Sequence, residues 1–329
     1  MTNRRSVLFS GAAALAAPAL LAACGEEAAP VLAAAPPLPT TQAPGFYRYK
    51  VGSLNVTTVN DGFFTLPVEG FITNKPVAEV RSVLRANFLS EERVTIPFNV
   101  TFVETSRGLV AFDAGNGVVA PSETRGKMIA NMAAAGIDPS KVVAVVVSHF
   151  HADHISGLTN AEGLRAFPNA EVVVPQTEWR WWTDAGNESR SPQRQRPNFA
   201  NTARRFQVYQ GRVRVIRDNA EVMPGIRAVP AHGHTPGHTA YHIADGNAQL
   251  LYVADTTNRP IPMALHPDYH AVVDFDPVLA ETSRRRIYDR VAADRVAITG
   301  YHFPFPAFGH MTREGHGYRF RLADWQSTV

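Results

Sequence analysis

Three observations predict an α/β fold in which sheets are covered by helices. Strand and helix signals interleave along the chain, one continuous β-branched run has the pattern of a strand buried on both faces, and 45% of the 329 residues are hydrophobic, enough for a substantial core. The composition changes near Gly45 to alternating apolar and polar residues, so the folded domain is placed at 45–329. Residues 56–59 and 63–66 read as two strands around the turn Asn60-Asp61-Gly62. A second hairpin joins 100–104 to 109–112 through Ser106-Arg107-Gly108. Ser122 is placed as the N-cap of a helix over 123–135 that Gly136 closes. The valine-rich run 141–147 is the buried strand, and it ends directly before Ser148 and His149. Further strands are expected at 171–174, 212–216, 225–229, 240–243, 250–254 and 296–299, with helices at 177–182 and 277–292. The polar, arginine-rich segment 184–205, interrupted by Pro192 and Pro197, reads as a long loop over a site or a mobile insertion.

The N-terminal region has a different character. Arg4 and Arg5 precede an alanine-rich apolar stretch over 11–23, a secretory pattern too short for a membrane span. The arginine pair points to the route that exports folded proteins, so the mature protein is expected in the periplasm. Leu21-Ala22-Ala23-Cys24-Gly25 resembles a bacterial lipobox, which would leave a lipid anchor on Cys24; the alternative is cleavage after a small residue with Cys24 incidental. Residues 1–24 are therefore read as the export signal and 25–44 as an Ala/Pro-rich tether. Cys24 is the sole cysteine, which excludes a disulfide, a thiolate ligand and a cysteine nucleophile from the domain. A net charge of +3 makes no case for nucleic acid. Arg190, Arg194, Arg196, Arg204 and Arg205 read as a solvated face, because no interleaved aromatic platform accompanies them.

The chemistry concentrates in Ser148-His149-Phe150-His151-Ala152-Asp153-His154. Past a strand end, this spacing lets His149 and His151 point to one side while Asp153 and His154 turn to another, so two neighbouring metals could share one loop. Imidazole and carboxylate suit zinc, iron, manganese or cobalt, and ligand type does not choose among them.

His-x-His-x-Asp-His resembles the signature of the metallo-β-lactamase superfamily. Further landmarks are similar: Asp113 in Phe112-Asp113-Ala114-Gly115, His234 in Gly233-His234-Thr235-Pro236-Gly237-His238, Asp255 in Val253-Ala254-Asp255, and His302 in Gly300-Tyr301-His302. The resemblance implies an αββα sandwich of two mixed sheets flanked by helices, with a dinuclear site, zinc first, at one edge. Carried over residue by residue, His149, His151 and His234 would hold one ion and Asp153, His154 and His302 the other. Asp255 would bridge them and hold a shared hydroxide as the nucleophile. Asp113 and Asp61 resemble residues that orient ligand histidines. His232, His238 and His242 are assigned to packing and hydrogen bonding.

Within the superfamily, Asp255 stands where many zinc β-lactamases carry cysteine, no flavodoxin domain is appended, and no length remains for a nuclease's extra domain. Acyl-homoserine lactonases, glyoxalase II-like thioesterases and the methyl parathion hydrolase group remain. The phrases Ala43-Pro-Gly-Phe-Tyr-Arg48, Ala166-Phe-Pro-Asn-Ala170 and Gly309-His-Met-Thr-Arg-Glu-Gly-His-Gly-Tyr-Arg-Phe320 resemble the last group most. The implied activity is metal-dependent hydrolysis of an organophosphate triester. A lactonase or aryl esterase is the alternative, and a noncatalytic, metal-loaded binding lipoprotein is the reading from another class. Trp181, Trp182 and Phe199 are the expected substrate contacts, with Trp179 assigned to the core. The stretch Asn116-Gly-Val-Val-Ala120 is aliphatic where the family has an aromatic, which counts against the triester. A homodimer is left open.

Overall fold

Two seven-stranded sheets form the centre of the unit Ala43–Val329. The structure, a computed structural model, describes residues 42–118 and 124–329. Arg4, Arg5, Cys24, the tether through residue 41, Ser122 and the expected helix start at Glu123 lie outside the described residues. The first sheet carries β1 (Phe46–Val51), β2 (Leu54–Pro67), β3 (Arg93–Thr105), β4 (Gly108–Phe112), β5 (Val142–Val146), β6 (Glu171–Pro175) and β7 (Val213–Ile216) in chain order. It is antiparallel through β4 and parallel from β4 to β7. The second carries β8 (Glu221–Met223), β9 (Ile226–Pro230), β10 (Thr239–Asp245), β11 (Ala248–Tyr252), β12 (Ala297–Thr299), β13 (Phe308–Glu314) and β14 (Gly317–Leu322), also side by side in chain order. Only β11 and β12 run parallel there, joined through helix α7 described below.

The sheets face each other across the main core, where Phe112 meets Tyr241 and Tyr252 with ring centroids at 5.7 and 5.3 Å. Helix α1 (Val77–Ala86) turns Val80 and Leu84 toward a smaller apolar cluster with Phe71, Val94 and Ile96. Helices α2 (Met128–Ala134), α4 (Gln176–Thr183) and α5 (Pro197–Gln207) accompany the first sheet, α3 (Ala152–Ile155) is a single turn, and α6 (Pro260–Met263) is another. Helix α7 (Pro277–Asp294) covers the second sheet, with Ile287, Tyr288 and Val291 against Leu251, Ile298 and Met311. This is the expected αββα sandwich. In β5, Val142, Ala144, Val145 and Val146 are buried and Val143 alone is exposed, which accounts for the unbroken apolar run. Among the described residues no helix is long and apolar enough to cross a membrane.

Three expectations are corrected. The turn at 60–62 is a bulge within one long strand, β2, because the Asp61 carboxylate faces inward and accepts bonds from the backbone of Asn116 and Met128. Helix α2 begins at Met128, later than expected, since Gly126 at φ 72° leaves helical geometry and Asp61 receives the Met128 N–H. The segment 184–205 is largely ordered: Pro197 opens α5 at its first turn, where a missing N–H costs nothing.

Candidate metal centre

Loops following four strands converge on one point. β5 delivers Ser148 and His149; His151 has extended backbone (φ −65°, ψ 154°) and caps α3, whose single turn carries Asp153 and His154. This change from extended to helical backbone sends His149 and His151 in one direction and Asp153 and His154 in another. His234 follows β9, Asp255 follows β11 and His302 follows β12. Their ligand-type atoms form three overlapping groups, His149/His151/His234, His149/His154/Asp255 and Asp153/His154/His302, each with atoms within 4.8 Å of one another. Asp255 sits between the outer two: Oδ2 lies 3.3 Å from His234 Nε2 and Oδ1 lies 3.2 Å from His154 Nε2.

Each of the five imidazoles has one nitrogen engaged from outside the cluster. His154 Nδ1 donates to Asp113 Oδ2 at 2.8 Å, His234 Nδ1 to Asp274 Oδ1 at 2.9 Å, and His302 Nδ1 to the Pro97 carbonyl at 2.8 Å. His149 Nδ1 meets Ser148 Oγ at 3.0 Å, whose own proton goes to Asp113. His151 is the reverse, with Nε2 donating to Gln195 Oε1 at 2.9 Å, which leaves Nδ1 facing the cluster. Such outer bonds fix tautomer and ring orientation in metal sites. The buried atoms His149 Nε2, His154 Nε2 and Asp255 Oδ1 have no hydrogen-bond partner. Orphaned, inward-facing lone pairs of nitrogen and oxygen fit a cation and would be costly without one.

The electrostatics agree. Burial drives His149 well below the usual imidazole range, with His154 and His151 adding to it, and burial with His234 pushes His151 down to about 3. Burial also opposes charge on His154 and His234, yet Asp255, Asp153 and Asp113 lift the first well above its usual range, while Asp255 and Asp274 lift the second to about 9. Burial would raise Asp255 and Asp153, but His302 and His154 hold Asp255 well below the carboxylate range and Asp153 at about 2. The ionised carboxylates Asp255 and Asp153 are balanced here by charge on the neighbouring imidazoles, and a bound cation would supply that charge in their place.

The backbone is strained beside two of these groups. Asp113 (φ 64°) and Ala254 (φ 43°) adopt left-handed geometry that costs a side-chain-bearing residue about 1–3 kcal/mol. His238 accepts the Asp255 N–H on Nε2 at 3.0 Å and donates from Nδ1 to the Ala231 carbonyl, so it holds the Asp255 segment in place.

The cavity over the cluster, about 200 Å³, is walled by Phe64, Leu66, Phe71, Ile96, Phe98 and Val273, with Asn116, Arg125 and Asn258 as polar lining. Trp181, Trp182 and Phe199 are not among its lining residues; Trp182 and Phe199 line a separate cavity together with Trp179. Trp182 is buried against Phe199 and donates to Glu178, while Trp181 packs on Phe275. Trp179 packs on Phe206 in the core, as expected. Asp61 also differs from expectation. It touches no histidine; its carboxylate accepts from the backbone and side chain of Asn116 and from Met128 N. Asp274 and Gln195 were not singled out in the sequence, since each reaches its histidine only through the fold, and Ser148, the neighbour of His149, was read there only as part of the motif.

A fold of this kind with a converging His/Asp cluster defines a metal-dependent hydrolase. The chain belongs to the metallo-β-lactamase superfamily, whose family model matches residues 97–300. It is similar to N-acyl homoserine lactonase AiiA of Bacillus thuringiensis subsp. kurstaki, 26% identical over 217 residues, 65% of this chain and 69% of that one. Among solved structures it is similar to AidC, described as a dizinc quorum-quenching lactonase in complex with an N-acyl-L-homoserine product: 25% identity, TM-score 0.81, covering 86% of this chain and 99% of that one. AbOPH, described as a hydrolase in the β-lactamase superfamily, shares the fold at 23% identity and TM-score 0.82, covering 87% of this chain and all of that one.

Proposed function

We propose that the protein is a dinuclear zinc hydrolase that opens lactones of the N-acyl homoserine type. The observation that carries this reading is the pairing of a charged His/Asp floor with an apolar wall in one cavity, a floor suited to hydrolysis beside a wall suited to an acyl group. The lactonase relatives support it. His149, His151 and His234 would hold one cation, Asp153, His154 and His302 the other, and Asp255 both. When bound, two divalent cations supply Lewis acidity toward a carbonyl and acidify water near neutral pH. The residues do the rest. Asp113, Asp274, Gln195 and Pro97 keep the imidazoles oriented, Asp255 is steadied by His238, and Phe64, Leu66 and Ile96 exclude water from the acyl side. Arg125, Asn116 and Asn258 are the polar groups of the lining outside the ligand set, where an amide could be oriented.

An aryl phosphotriester is the second reading, and one observation favours it. Among the described residues outside the ligand set, no lining residue is a carboxylic acid or histidine that could protonate a basic alkoxide, and an aryl leaving group needs no such acid. The test is kcat/KM of metal-analysed protein on N-acyl homoserine lactones, paraoxon-type triesters, aryl esters, thioesters and a β-lactam. The lactones are expected to be turned over best; a triester turned over faster would reverse the two readings. Two bound ions with no turnover of any substrate would favour a binding lipoprotein.

A further inference from the structure

Glu178, on α4, carries none of the ligand atoms and is fully buried at 0% exposure. Its Oε1 accepts from Phe150 N at 2.9 Å and from Trp182 Nε1 at 2.6 Å. Its Oε2 accepts from Thr235 Oγ1 and Gly237 N, both at 2.8 Å. Phe150 separates His149 from His151, and Thr235 follows His234. One carboxylate is thus bonded to both loops that supply His149, His151 and His234. The other group is held differently, with Asp113 on His154 and the Pro97 carbonyl on His302.

We propose that Glu178 is the positioning residue for the His149/His151/His234 group, fixing the distance between the two loops and so the affinity of that group for its ion. The residue type fits the task. Four donors converge on it, and a carboxylate offers acceptor sites to all four without presenting a hydrogen of its own. Glutamine would turn an amide NH2 toward two of the donors. The loop also seats directly on the helix: a Cβ on Gly237 would lie 2.1 Å from Glu178 N, so only glycine permits the approach. The burial of a carboxylate whose four partners are all neutral is explained by this bolt between loops, because a role in packing alone would be served by an apolar side chain.

The inference rests on the dinuclear reading, and its test reads metal binding, leaving lactone turnover aside. Glu178→Gln is dialysed against buffered zinc and analysed for metal, then loaded with Co2+ for absorption and paramagnetic NMR. The expected result is an affinity roughly 10- to 100-fold weaker for one ion. At limiting metal the protein would hold about one ion per chain, and imidazole N–H signals of His154 and His302 would persist while those of His149, His151 and His234 are lost. Thr235→Val removes one of the four bonds and should weaken the same ion by a smaller factor, which carries the test alone if Glu178→Gln does not fold. Two ions of wild-type affinity in the folded variants, or an equal weakening of both ions, would overturn the proposal. Wild-type protein holding fewer than two ions would overturn the dinuclear reading and this inference with it.

Discussion

The floor and the wall of the cavity are built in opposite ways. Every imidazole of the floor has an outer partner, and three of those partners, Asp113, Asp274 and Gln195, are side chains from other parts of the chain. The apolar part of the wall comes from side chains of β2 and β3 with Phe71 and Val273, which are placed by packing. A polar floor is fixed by directional bonds and fails abruptly when one is removed; an apolar wall is fixed by area and changes by degrees. On the proposed function, the floor would govern whether chemistry occurs and the wall which substrate is bound.

The largest effect should come from the floor as a whole. Dialysis against a chelator is expected to reduce hydrolysis to background, with recovery when zinc, manganese or cobalt is returned. Activity that persists with less than one ion per chain by elemental analysis would break the division between floor and wall.

Two buried aspartates sharpen the comparison next. Asp255→Ala should lower kcat by roughly 100-fold or more and reduce the metal content, since Asp255 faces both ligand groups. Asp61→Ala should act on stability, because it strands the two donors of Asn116 and the N–H of Met128 in the interior, at about 1–3 kcal/mol for each unsatisfied group. Thermal melting and metal analysis on the same samples separate the two; a normal melting temperature with lost metal in Asp61→Ala would put Asp61 on the floor after all.

A smaller effect is expected from the outer partners. Asp274→Asn and Asp113→Asn should each weaken metal binding by roughly 10- to 100-fold, acting on His234 and His154 respectively. Competition with a metal-binding dye measures this, and unchanged affinity in both would mean that the imidazoles are oriented by packing.

What could be seen in the sequence follows the same division. The buried strand β5 and the cluster His149 to His154 were legible because their signals are local: a β-branched run, then ligand types at fixed spacing. The helices over 176–183 and 277–294 were legible for the same reason. Asp274 was not, since it meets His234 across forty positions of chain through the path of the loop before α7. The wall was not legible either. Phe64 and Leu66 read as ordinary strand residues and Ile96 fell before the expected strand 100–104, and only the bulge at 60–62 and the pairing of Phe64 with Ile96 set them at the cavity. The position of the tryptophans relative to this cavity was not legible, because an aromatic cluster has the same composition in a core as in a pocket. The hairpin β13–β14, present only as a phrase resembling a family, carried a mixed polar pattern suited to an exposed edge.

The smallest effect tests the wall. Leu66 is half-buried and lines the cavity, so Leu66→Ala removes apolar contact that an acyl chain would make in the ground state and the transition state alike. Loss of that contact is worth about 1–2 kcal/mol, hence roughly a 10-fold rise in KM for a lactone with a medium acyl chain, with kcat close to wild type. The rise should shrink as the acyl chain is shortened, because less of the substrate reaches Leu66. Trp181→Ala provides the contrast. Its ring packs on Phe275 away from the cavity lining, so KM should stay within about twofold of wild type for every chain length. Steady-state kinetics over a series of acyl lengths measures both, and a length-dependent KM change in Trp181→Ala with none in Leu66→Ala would return the substrate contacts to the tryptophan helix.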